Sequence, residues 1–308
     1  MRFVSGLFLA ISSIGVVFGG VADHLKRAEE KKDYHHMRNI DFIYMINLDE
    51  RSEKWEMSCR QLEPYGIYPY RFSAVNGWNL SLEVINDVGL KYRPDMTPLL
   101  SSTYPMEPEA EGMFSNEFMT QFGKTYFRHG LARGTVGIIL SHLSILQDAF
   151  DSGYETIWIM EDDIEVLSDP RKIPDLIEEL DRFIGRDNWD VLFTDKNTRD
   201  ARGNEVPSAG MAKCPNFNPS DKSQYYIKEQ ISENFHRIGS RFGAYSLIMR
   251  RSGIEKILNF IKAHEIYLPY DMALYLPQGI KLYTVTRNIV SNLPKAISDN
   301  GHANYLKK

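Results

Sequence analysis

Cysteine is scarce: Cys59 and Cys214 are the two in 308 residues. That excludes a disulfide-stapled scaffold and leaves at most one bridge, which the sequence does not decide. Zinc-ligand spacing is absent, so no structural zinc site is expected. There is no basic excess. The 36 Lys and Arg residues face 41 Asp and Glu, for a net charge of −5, which withholds the electrostatic footprint of a general nucleic-acid binder. No internal repeat or low-complexity tract is present, and no Gly-x-Ser-x-Gly elbow of a serine hydrolase. What remains is ordinary globular composition, 43% hydrophobic and 25% charged, which excludes a disordered chain, a collagen or a coiled coil. The length suits one or two domains and a core that needs no staples.

The first distinct feature is N-terminal. Residues 3–22 carry no charge, follow Arg2 and stop at Asp23. A basic start, an apolar stretch and the small residues of 19–22 match an export signal. About 20 apolar residues also suffice to span a bilayer, so a membrane anchor is the open alternative. Lys26, Arg27, Lys31 and Lys32 follow. For an anchor they favour a cytoplasmic catalytic part, whereas a eukaryotic signal anchor would direct it into a secretory lumen. The segment 1–22 is therefore set apart as signal or anchor, with 23–38 as a polar tether and 39–291 as the folded domain.

Within that domain, 40–48 is a nearly continuous apolar run, which predicts a strand buried on both faces. A helix over 52–62 and a strand over 68–75 complete a β-α-β opening, the mark of an α/β fold. The stretch 91–133 lacks periodicity and carries Pro94, Pro98, Pro105 and Pro108. It reads as a long surface insertion with a short helix. Residues 135–150 form the clearest amphipathic helix. An apolar strand over 156–160 follows, then a helix over 173–184 and a strand over 189–194. The polar stretch 195–237 reads as a second long loop. A strand over 242–249, a helix over 252–263 and a strand over 280–286 follow, and 292–308 reads as a polar tail.

Chemistry concentrates at Glu161-Asp162-Asp163, directly after the apolar strand. Open α/β sheets place ligands at the carboxyl ends of their strands. Three acids repel one another unless a cation joins them, and carboxylates suit Mg²⁺ or Mn²⁺. Such an ion can hold a nucleotide diphosphate as a leaving group. The alternative is a solvated loop capping the next helix.

The chain resembles glycosyltransferase family 25, which includes bacterial lipopolysaccharide glycosyltransferases and collagen galactosyltransferases. The likeness is carried by Ile46-Asn47-Leu48-Asp49-Glu50-Arg51 with Lys54-Trp55, and by Arg71-Phe72-Ser73-Ala74-Val75-Asn76-Gly77. It continues in Gly134-Thr135-Val136-Gly137, Leu140-Ser141-His142-Leu143 and the strand ending in the three acids. Trp189-Asp190-Val191-Leu192, Gly243-Ala244-Tyr245 and Pro269-Tyr270-Asp271 are weaker echoes. These blocks keep the family's order over about 40–275. The family usually has a small residue such as Cys near Ile138, and this departure reads as a packing change.

The resemblance implies a single catalytic α/β domain of GT-A-like, Rossmann-type architecture, a mainly parallel sheet flanked by helices. It also implies a UDP-sugar donor and Mn²⁺ or Mg²⁺ on Glu161 and Asp163, with Asp162 between them. Asn47, Arg51, His142 and Asp162 are the candidate donor-binding residues. Arg51 offers a planar fork for a phosphate, although a helix-surface charge looks the same in sequence. His142, taken alone, reads more readily as a packing histidine. Asp271 is the first candidate for the base that takes the acceptor proton, and Asp195 is its rival. The expected reaction moves galactose or glucose from a UDP-sugar to a hydroxyl, with inversion. The acceptor is a lipopolysaccharide-like glycan or a glycoprotein hydroxyl such as hydroxylysine. A non-catalytic glycan- or nucleotide-binding protein is the main alternative, and a two-carboxylate glycoside hydrolase a lesser one.

Overall fold

The computed structural model describes residues 20–106, 114–208 and 210–306. The apolar stretch up to residue 19, on which the signal or anchor expectation rests, lies outside them. Among the described residues no helix is long and apolar enough to cross a membrane.

The chain opens with β1 (Phe42–Asn47), buried at every position, then α1 (Ser52–Leu62) and β2 (Tyr70–Ser73). After the central helix α3 (Arg133–Asp151) come β7 (Thr156–Glu161), β8 (Ile164–Val166), α4 (Ile173–Ile184) and β9 (Val191–Phe193). The last third adds β10 (Lys228–Gln230), β11 (Phe235–Ile238), β12 (Ser246–Arg250), α5 (Arg251–His264), α6 (Tyr270–Ala273), β13 (Leu282–Val285) and β14 (Val290–Asn292). Eight strands form the main sheet in the order β10-β11-β13-β9-β12-β7-β1-β2. β2, β1 and β7 are parallel neighbours, as are β9 and β13. The sheet is mixed because β12 runs antiparallel between β7 and β9, and β11 antiparallel beside β13.

Strand alternation sends side chains to two cores. Tyr44, Ile46, Ile157, Ile159, Leu247 and Phe193 meet α3 and α5 on one face. Ile43, Met45, Trp158, Met160, Ile248 and Leu192 meet α1 and α4 on the other. Helix α4 shows the pattern simply: Ile173, Ile177 and Leu180 recur at helical spacing and are buried. Each such burial stabilises by about 1.5–3 kcal/mol before the entropy of ordering is subtracted.

Two stretches differ from expectation. The 91–133 region holds no helix among its described residues. With Leu90 it builds β3 (Leu90–Lys91), β4 (Leu100–Thr103), β5 (Ser115–Phe118) and β6 (Thr125–Arg128), a four-stranded antiparallel sheet in the order β3-β6-β4-β5. Such short strands carry too few alternations to register as a period, and the prolines fall between them. The helix before it, α2 (Leu82–Val88), is capped by Ser81, whose Oγ accepts from the Val84 amide at 3.3 Å. The 195–237 region is largely irregular, yet β10 and most of β11 lie in it and extend the main sheet. The segment after Asn292 is polar in composition, but it folds back over the sheet edge. Cys59 and Cys214 are both free thiols.

Candidate active site

Because β1, β2 and β7 run in parallel, Asn47, the 74–78 turn and Glu161–Asp163 emerge at one edge of the sheet. β12 runs the other way, so its leading residues arrive at the same edge, where Tyr245 O accepts from the Glu161 amide at 2.9 Å. Helix α3 begins against this edge. A Cβ on Gly137 would sit 2.4 Å from both Gly77 N and Val75 O, so only glycine permits that approach. Ser141 adds a hydrogen bond from the Val75 amide, 2.8 Å. This contact accounts physically for the two glycine-containing blocks read from the sequence.

Two cavities adjoin here, and Glu161 and Asp163 line both. The first, about 60 Å³, is bounded by Lys54, Ala74–Trp78, Gly134, Asp162 and Asp299. The second, about 320 Å³, is bounded by Thr135, Arg199, Gly243–Tyr245, Tyr270, Asp271 and Asn292. Burial, then the neighbouring Asp162 and Asp271 charges, pushes the Glu161 carboxyl up to about 8. Burial and the Glu161 and Asp162 charges push Asp163 up to about 8 as well. Asp163 Oδ1 is buried with no hydrogen-bond partner.

Asp162 turns toward the first strand. Its Oδ2 accepts from Asn47 Nδ2 at 2.6 Å, and Lys54 Nζ stands 4.0 Å from Oδ1. Burial raises this carboxyl too, against the opposing pull of Lys54 and Asn47. Asn47 is itself fixed by Arg71 Nε, which donates to its Oδ1 at 2.8 Å. Asn47 therefore positions Asp162 and lines neither cavity. Arg51 lines neither either: its Nε lies 2.9 Å from Glu53 and 3.4 Å from Asp299.

His142 lies beneath the acids, fully buried. Its ring stacks on Tyr270 with centroids 3.9 Å apart, and its Nε2 shares a hydrogen bond with Glu161 Oε1 at 3.1 Å. Burial drives its pKa down to about 3, so the ring is neutral. It orients Glu161 from below and does not line the cavities. Asp271 does line the second cavity. It accepts from the Gly243 amide at 2.8 Å, and burial raises its carboxyl. Asp195 is elsewhere: Arg241 Nη2 lies 3.0 Å from its Oδ1, and Ser291 Oγ donates to its Oδ2 at 2.8 Å. With both oxygens engaged and the side chain buried, it ties β9 to β14 and lines neither of the two cavities.

Among the described residues no three or more His, Cys, Asp or Glu side chains gather as a metal cage. Two carboxylates facing a cavity, one with a bare buried oxygen, do fit an ion that takes its remaining ligands from phosphate and water, as Mg²⁺ commonly does. Sequence reasoning gave no role to Lys54, Trp78, Tyr245 or Asp299. Lys54 sat within a quoted block and was accessible to that reading. Asp299 carried no local signal.

A family model for glycosyltransferase family 25 (LPS biosynthesis protein) matches residues 40–274. The chain is 25% identical over 195 residues to procollagen galactosyltransferase 1 of Danio rerio, covering 63% of this chain and 27% of that protein. It is 24% identical over 157 residues to a glycosyltransferase 25 family member of Aedes aegypti, covering 50% and 21%. It is also 24% identical over 155 residues to the inactive glycosyltransferase 25 family member 3 of Homo sapiens, covering 50% and 21%. The chain thus spans 21–27% of the length of these curated relatives. With the matched segment taking in all of the main sheet but β13, and with it the acids and Asp271, the chain belongs to glycosyltransferase family 25.

Proposed function

We propose that this chain is a metal-dependent hexosyltransferase of GT-A type that moves galactose or glucose from a UDP-sugar to a hydroxyl of a glycan or glycoprotein, with inversion. The observation that carries the proposal is the shared wall: Glu161 and Asp163 border both cavities at once. A group held there meets a donor on one side and an acceptor on the other. Family membership and a relative named as a procollagen galactosyltransferase support the transfer chemistry and the sugar.

Glu161 and Asp163 would hold the ion, which when bound supplies positive charge to the departing diphosphate. The chain's own residues do the rest. Neutral His142 keeps Glu161 turned to the cavity, and Asn47 with Lys54 holds Asp162. Asp271 accepts the proton of the acceptor hydroxyl as its oxygen bonds to the anomeric carbon; the bond from that carbon to the diphosphate breaks, and UDP leaves. Burial raises Asp271, which strengthens it as a base. The N-terminal segment acts as a leader or an anchor, and the mass of the mature N-terminus distinguishes the two.

The test is a donor screen measuring UDP release with and without Mn²⁺, in the presence of a glycan acceptor. Turnover with UDP-galactose or UDP-glucose, dependent on Mn²⁺, is expected, and turnover unchanged by a chelator removes the ion. The inactive relative and the small first cavity favour one other reading, a non-catalytic nucleotide binder. UDP binding without turnover on any donor would establish it.

A further inference from the structure

The segment 293–306 lines the first cavity through Ser298, Asp299 and Asn300 and borders the second as well, and it is held in place almost without apolar packing. From residue 295 onward no apolar side chain in it is buried; Ile297 is 64% exposed and Leu306 75%. Asp299 is the exception, at 8%, and it points inward. Its Oδ2 accepts from Lys54 Nζ at 3.0 Å and stands 3.4 Å from Arg51 Nε. Lys54 Nζ also donates to Ile297 O at 2.9 Å, and Trp78 Nε1 donates to Asp299 O at 2.8 Å. Gly134 makes room for this strap: a Cβ there would lie 2.5 Å from Asn300 O.

Two features bear on how well the strap fits the cavity. Asp299 Oδ1 is buried without a partner, so the carboxylate fills the pocket incompletely. The space left beside it is about 60 Å³, far below the ~300 Å³ of even a small ligand pocket. The first cavity by itself therefore does not hold a nucleotide while the strap lies in it. Lys54, by contrast, is built into α1 and almost fully buried between Asp162 and Asp299. An ammonium so enclosed needs an anion, and the strap brings one from the far end of the chain.

We propose that Lys54 and the Trp78 Nε1–H, with the Arg51 guanidinium that Asp299 separates from the cavity, form a binding subsite for the diphosphate of a nucleotide, and that Asp299 is the chain's own anion holding that subsite shut. The diphosphate displaces the carboxylate and frees 294–306 from the cavity. This rests on the donor reading above for the identity of the nucleotide. Asp299 and its strap lie outside the segment matched by the family model, which ends at 274, whereas Lys54, Arg51 and Trp78 lie within it. Affinity for the diphosphate is then lowered by the fraction of molecules with the strap closed.

The experiment is titration calorimetry of the full chain with UDP plus Mn²⁺ and, separately, with inorganic pyrophosphate plus Mn²⁺. Hydrogen exchange of 294–306 is followed in parallel. Asp299→Asn is expected to tighten both ligands about tenfold by releasing the strap. In the unsubstituted protein, saturating ligand speeds exchange of the strap amides. Lys54→Ala also frees the strap but weakens both ligands, because the gripping cation is gone. The proposal is overturned if Asp299→Asn leaves affinity unchanged, if the strap becomes more protected on binding, or if Lys54→Ala binds as tightly as Asp299→Asn. UDP bound equally by both proteins leaves the donor reading standing and removes the subsite. Pyrophosphate tightened by Asp299→Asn, with UDP bound by neither protein, supports the subsite and removes the nucleotide. Binding of neither ligand by either protein removes both.

Discussion

The floor and the roof of the candidate site are built from different physics. The floor is the end of β7, where Trp158, Ile159 and Met160 are fully buried between two cores and β1 and β12 pair on either side. The roof is the strap 293–306, fixed by Lys54, Trp78 and a bond from Asn76 Nδ2 to Tyr305 Oη at 2.8 Å. Apolar burial sets the floor to within narrow limits and makes it costly to move. A few hydrogen bonds and the ion pairs of Asp299, with no buried apolar side chain from 295 onward, leave the roof in the low-stability part of the molecule. The same cleft thus combines fixed acids with removable cover, and each substitution below asks which property a residue serves.

The largest effect is expected at the floor. Asp163→Ala removes one of the two carboxyls that line both cavities. Turnover measured as UDP release should fall about 10³-fold. Stability should not fall with it, because the substitution removes a buried carboxyl oxygen that has no hydrogen-bond partner. A urea midpoint equal to or above that of the unsubstituted protein, with activity lost, confirms the floor as functional. A midpoint that drops would make Asp163 a structural residue instead.

Asp271 and Asp195 sharpen the contrast next, because both are buried acids with raised carboxyls. Asp271→Asn should lower kcat about 10²-fold or more while UDP affinity holds. Asp195→Asn leaves Arg241 uncompensated in the core and should cost about 3–5 kcal/mol by urea unfolding. Reversal of the two outcomes would move the base to Asp195 and reassign Asp271 to loop anchoring through Gly243.

How much of this was legible in the sequence follows the same divide. The strands and helices around the floor could be read, since β1, β7, α3 and α4 carry long apolar runs or clear periods and lie within a residue or two of their expected bounds. The acids were legible as well, because they end such a run. The small sheet of β3–β6 was not: its strands are two to four residues long and owe their shape to partners distant in sequence. Asp195 and Asp271 look alike as letters. Arg241, brought from 46 positions away, and Ser291, from 96, engage both oxygens of Asp195, while Asp271 faces the cavity. Asp299 was illegible for the same reason, since its meaning comes from Lys54, 245 residues earlier.

A pH titration tests the floor without mutation. Glu161 and Asp163 are raised to about 8 from ordinary values of 4.5 and 3.8. The folded chain therefore binds more protons than the unfolded one across that interval, and stability falls as pH rises through about 8. His142, lowered from 6.5 to about 3, acts oppositely in acid, since the unfolded chain protonates first. Between pH 6.5 and 8 only the carboxyl effect operates. The melting temperature of the metal-free protein should fall across that window, and Mn²⁺ should restore it most at the upper end. A flat profile, unaffected by Mn²⁺, would mean that the two acids are neither crowded nor able to hold an ion.

The smallest effect belongs to the roof and tests its separateness. Tyr305→Phe deletes one hydroxyl, and with it the bond to Asn76 Nδ2, leaving the ring. A single such bond is worth about 0.5–1.5 kcal/mol net. If the strap opens on its own, that loss should not reach the global transition, and the melting temperature should hold. It should instead appear locally, as exchange of the 304–306 amides accelerated about fivefold, with the β7 amides unaltered. Were the melting temperature and the β7 amides to shift together with the strap, floor and roof would unfold as one cooperative unit. The cover could not then be lifted without loosening the acids beneath it.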